Sequence, residues 1–222
     1  MKNFQIIALP SLALAIGNIF PGECPQAPDQ VDFDIEKYAG VWYNHLANDY
    51  KNIPENSECV SATYQVLDED TISVNNSATI NSGIANRPLK INSWAFGTAT
   101  ILDPEFPTQL YVDLNEFGGC GEHAWFCGST GNTKDNIDDI VNDGPYINYQ
   151  VAETDYENYT VVVSCYPIND TNTHSEITYI MSRDRQWPLT TEGKQKVQEV
   201  IYNLEQWGYN TDTLTYTKQD IC

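Results

Sequence analysis

From Gly40 to Arg183 the chain alternates apolar and polar positions in short runs broken by turn residues. Runs at Gly40–Leu46, Cys59–Leu67, Thr71–Ala78, Leu89–Leu102, Gln109–Leu114, Tyr146–Glu153, Tyr159–Cys165 and Ile177–Ser182 read as eight strands. Turn signals recur about every ten residues, the rhythm of an antiparallel barrel or sandwich. No helical pattern falls between the strands, which excludes a parallel α/β sheet. One helix comes late: Thr190 or Thr191 caps it, Val197, Val200, Ile201 and Leu204 form its stripe, and Gly208 stops it. The Gly-rich, acidic stretch 115–145 is far longer than a hairpin loop, a length usually reserved for function or disorder.

Composition narrows the possibilities. With 41% hydrophobic and 12% aromatic residues, 222 residues supply ample core for a single domain. Eleven basic residues against 31 acidic ones give a net charge of −20. Such a surface repels phosphate backbones and anionic headgroups, so neither nucleic acid nor a membrane surface is an expected partner. Lys2 followed by the apolar run Ile6–Ile16 reads as a signal peptide cut after Gly17, leaving 18–222 as the mature domain. The run is too short for stable membrane insertion. The expected location is therefore extracellular. Cys24, Cys59, Cys120, Cys127, Cys165 and Cys222 should pair there, in one of 15 arrangements. Sequons at Asn75, Asn158 and Asn169 fit an exported glycoprotein.

Three segments in order carry a resemblance: Lys37-Tyr38-Ala39-Gly40-Val41-Trp42-Tyr43, then Thr154-Asp155-Tyr156, then Arg183 at the end of the eighth strand. Together they resemble the lipocalin family, on its apolipoprotein D, insect bilin-binding and crustacyanin side, over residues 22–222. That resemblance implies an all-β fold: an eight-stranded antiparallel up-and-down barrel with the C-terminal helix packed outside. It also implies a secreted carrier of a small hydrophobic molecule, and no enzyme. Gly40, Trp42, Thr154, Asp155, Tyr156 and Arg183 are expected to serve structure, with Arg183 laid over the Trp42 ring to plug one end. The implied bridges are Cys24–Cys165 and Cys59–Cys222, and Cys120–Cys127 would close a short loop.

Within such a barrel alternate residues line the hollow. Counting from Trp42 turns Asn44 and Leu46 inward; comparison with the family places Tyr64 inside, and Val74 and Asn76 follow. Trp94 and Phe96 share a face of the fourth strand, Tyr149 is a candidate on the sixth, and Tyr179 stands on the Arg183 face. Tyr111 competes with Leu110, Val112 and Leu114. Strand counting puts the 115–145 insertion, with Trp125 and Phe126, at the mouth as a lid or partner-contact loop. No metal or other cofactor is required: Cys120, His123 and Cys127 have no common zinc spacing. The expected ligand is carotenoid-like or bilin-like. A general carrier of fatty acids, sterols or hormones, and an interaction protein acting through the mouth loop, are the alternatives, and homo- or hetero-oligomers are compatible with each.

Overall fold

The computed structural model describes residues 19–48, 57–84, 87–121, 127–129, 149–168 and 171–222. The expected leader and most of the expected mouth insertion, including Trp125 and Phe126, lie outside them.

Eight strands close into an antiparallel ring. They are β2 (Gly40–Asn48), β3 (Ser57–Val66), β4 (Thr71–Ile84), β5 (Arg87–Ile101), β6 (Gln109–Gly121), β8 (Tyr149–Thr154), β9 (Tyr159–Ile168) and β10 (Thr173–Ser182). Each pairs with the next in that order, and β10 returns to pair with β2. Three short strands decorate the ring. β1 (Ile19–Pro21) lies on the far end of β10, β7 (Cys127–Ser129) folds back on β6, and β11 (Leu214–Tyr216) lies on β2 beyond the reach of β3.

Two apolar layers hold the ring. Inside, Trp42, Ala62, Tyr64, Ile72, Val74, Ala99, Leu110, Val151, Val162 and Met181 form a single cluster with Tyr38 from the short helix α1 (Ile35–Tyr38). Outside, Leu46, Ala152, Tyr159, Val161, Val163 and Ile180 meet Val197, Val200 and Leu204 of helix α2 (Thr191–Trp207). β9 supplies both layers through alternate valines, which is why its run reads as continuously apolar. α2 starts where the Thr190 hydroxyl accepts the Gly193 N–H and ends at Gly208.

The strands depart from expectation mainly in length. β4 and β5 stay paired from Thr71–Thr100 to Ile84–Arg87, and β6 runs on to Gly121. The insertion therefore begins as strand, not loop. On the other side β8 meets β6 at Gln109–Gln150 and Leu110–Tyr149 among the described residues. β4, β5 and β6, at 14, 15 and 13 residues, form a tall wall.

Cys24 is bonded to Cys165, tying the N-terminal arm to β9. Cys59 is bonded to Cys222, tying the C-terminal tail to β3. Cys120 and Cys127 stand directly opposite one another in the β6–β7 register.

Candidate functional site

The closed end is built around Trp42, which is fully buried and donates its indole N–H to the Tyr38 carbonyl at 2.9 Å. The Arg183 guanidinium lies 3.6 Å from the ring centre. Its N–H groups donate to the carbonyls of Tyr156, Val41, Lys37 and Tyr38. One side chain thereby joins α1, β2 and the turn between β8 and β9. Gly40 sits at φ +106° with Arg183 Nη1 2.8 Å from where a Cβ would stand, so both backbone and space demand glycine.

The β8–β9 turn is held from within. Asp155 Oδ1 accepts the backbone N–H groups of Glu157, Asn158 and Tyr159, and its Oδ2 accepts the Asn158 amide. Burial pushes this carboxyl up, but those donors outweigh it and hold the group below its usual range. Thr154 Oγ1 accepts the Tyr156 N–H, and Tyr156 Oη accepts the Asp34 N–H. The six motif residues therefore form one assembly.

Above this floor three phenols meet inside the barrel. Tyr149 Oη shares hydrogen bonds with Tyr38 Oη at 2.8 Å and Tyr64 Oη at 3.0 Å, while Tyr38 and Tyr64 stack at 5.6 Å. Burial pushes the Tyr38 hydroxyl up to about 12, and drives Tyr64 and Tyr149 well above the usual phenol range. All three stay neutral donors and acceptors. Tyr179 packs against the same cluster. Val74 lies in it, and Asn76 shares the Val74 face, opposite Ala62.

Three expectations about the hollow are corrected. Leu46 faces α2, not the hollow, because β2 carries a bulge: Met181 pairs with Asn44 but Ile180 with Leu46, leaving His45 extra and reversing the alternation. Asn44 stays inward, opposite Met181. Trp94 and Phe96 do share a face, but it is the outer one. Ile72 and Val74 are interior and pair with Ala99 and Gly97, so Asn75–Phe96 and Ser77–Trp94 lie on the opposite side. Tyr111 also points outward, since Leu110, Val112 and Leu114 belong to the interior. Sequence counting did not single out Tyr38 as a pocket residue. It sits two residues before Gly40 on the cap helix, and strand alternation does not reach it.

The corrected phase of β5 shapes the hollow. That strand turns Ala95, Gly97, Ala99 and Ile101 inward and its two aromatics outward, so the middle of its interior face is lined by small residues, with Ile101 packed on the interior cluster. Beside them on β6 stand Val112 and Leu114, the partners of Ala99 and Gly97. The interior thus combines the polar-tipped phenol cluster with a stretch of low relief on β5.

No model of a known protein family matches the sequence. Over 228 residues the chain is 28% identical to apolipoprotein D of Bos taurus, covering 98% of this chain and 96% of the relative. Among solved structures, insecticyanin from the tobacco hornworm Manduca sexta superposes with a TM-score of 0.58 at 19% identity, covering 91% of this chain and 89% of that one. Apocrustacyanin C2 superposes at 0.53 with 20% identity, covering 90% and 91%. These relatives are lipocalins, and the chain has the lipocalin fold. In this barrel the plugged end and the closed ring are one continuous construction.

Proposed function

We propose that this lipocalin is an exported carrier that holds one small hydrophobic molecule in its barrel, a carotenoid-like or bilin-like chromophore, and catalyses no reaction. The observation that carries the reading is the pairing of a small-residue wall, Ala95, Gly97 and Ala99, with the phenol floor of Tyr38, Tyr64 and Tyr149. An extended polyene or tetrapyrrole gains about 25 cal/mol for each Å² of apolar surface it buries there. Phenols held neutral supply hydrogen bonds that set its orientation without requiring a charged guest. The likeness to insecticyanin and the crustacyanins supports the pigment form of this reading.

The 28% identity to apolipoprotein D across 98% of the chain supports a second form, a general carrier of colourless lipids such as fatty acids, sterols or hormones. The absorption spectrum of protein purified from its natural source separates the two. A visible band lost on denaturation is the expected result. A colourless protein that quenches its tryptophan fluorescence with fatty acids or sterols, and not with polyenes, would overturn the pigment form.

A further inference from the structure

We propose that Asn75 carries an N-linked glycan whose first sugar packs on the aromatic face that β5 turns to the outside, beside Phe96 and Trp94. The inference rests on export of the chain, not on the identity of the barrel ligand. Asn75-Asn76-Ser77 is a glycosylation sequon in the middle of β4. Because Ile72 and Val74 are interior, Asn75 and Ser77 are on the outer surface of the ring. Phe96 is the direct cross-strand partner of Asn75, and Trp94 that of Ser77. Facing side chains on neighbouring strands stand about 5 Å apart at Cβ, within contact of a sugar on the first of them.

The aromatic face is shaped for a flat occupant. Phe96 is 37% exposed, high for a residue of its size in the centre of a sheet. The Trp94 indole lies flat over Gly118 of β6, where any Cβ would come within 2.4 Å of the ring. A pyranose presents axial C–H groups on one face, and these stack on aromatic rings as aliphatic groups do. Asn75 Oδ1 is buried without a hydrogen-bond partner, so no hydrogen bond through that oxygen ties the amide to the fold.

The other described sequon offers the contrary arrangement. The Asn158 side-chain N–H donates to Asp155 Oδ2 at 2.8 Å, and the Asn158 carbonyl accepts the Arg183 N–H at 3.0 Å. A sugar there would compete with the Asp155 contact for the same nitrogen, in the turn that locks the closed end. Attachment acts on the extended chain. The Asn75 Nδ2–C1 bond of N-acetylglucosamine forms as the C1–O bond to a lipid-diphosphate donor breaks, the lipid diphosphate leaves, and the amide gives up one proton. The fold then provides a seat for the product at Asn75.

The test uses the full chain made by a secreting eukaryotic cell and, without glycans, in a bacterial periplasm. Glycopeptide mapping of the secreted protein should find Asn75 occupied in a larger share of molecules than Asn158; an empty Asn75, or the reverse order, overturns the proposal. Thermal unfolding is then measured for Asn75→Gln, Phe96→Ala and the double variant. In the secreted protein the combined loss should fall short of the sum by about 2–4 °C. In the periplasmic protein the losses should add. Phe96→Tyr, which keeps the ring, should retain the coupling. Additivity in the secreted protein, or equal coupling in both, overturns the proposal. So does a dimer that Phe96→Ala converts to monomer, since the face would then be occupied by a second copy.

Discussion

The closed end and the tall wall of this barrel solve opposite problems. At the closed end almost every polar atom is spoken for: Arg183 alone satisfies four carbonyls and covers the Trp42 ring. On the wall, β5 turns its aromatics, Trp94 and Phe96, to the outside and leaves Ala95, Gly97 and Ala99 within. The first arrangement maximises stability, and the second forgoes burial inside in favour of capacity. Stability and binding should therefore respond to different mutations, although the two regions share the same strands.

Trp42→Ala should bring the largest change, a loss of about 3–5 kcal/mol in urea unfolding, because a filled floor becomes a cavity beneath an uncovered guanidinium. A loss below about 1 kcal/mol would break the contrast.

His45, the bulge residue, comes next. Ser182 donates its hydroxyl to the Asp184 carbonyl at 2.6 Å and so accepts from His45 Nε2–H at 2.7 Å, which places the hydrogen of the neutral ring on Nε2. Burial pushes the ring down to about 4, Arg185 adds to this, and Asp184 opposes it. The unfolded chain takes up a proton near pH 6.5 and the native one only near 4, so stability is full above 6.5 and falls as pH drops between those values. The loss should reach up to about 3 kcal/mol. His45→Gln should flatten the profile between pH 6.5 and 4.5, and an undiminished slope would exclude His45 as the source.

Ala95→Phe should do least to stability, about 1 kcal/mol or less, yet weaken binding of the natural ligand by roughly tenfold or more, read by titration of the ligand-free protein. Equal affinity in the variant would move the guest away from the wall.

The sequence made the ring legible because short alternating runs separated by turns have few other solutions, and the motif residues around Trp42 and Arg183 named its plugged end. The phase of β5 escaped it. Hydrophobicity favours placing Trp94 and Phe96 inside, and only pairing with Ile72 and Val74 reveals that they point out. Leu46 was misplaced for a local reason, one bulged residue that nothing in the run from Gly40 announces. The upper half of β4 was missed since Thr79 to Ile84 alternates weakly, its polar residues falling on both faces. Tyr38 lay outside the counting because its place depends on a four-residue helix.

The tail has a consequence for biogenesis. β2, the first barrel strand made, completes its edges only with β10 and β11, and Gln219 donates to the carbonyls of both Asn44 and Val60. Cys222 locks the same seam. Sealing the cylinder therefore joins segments far apart along the chain, which makes closure of this seam a slow, non-local step of maturation rather than a hairpin-by-hairpin one.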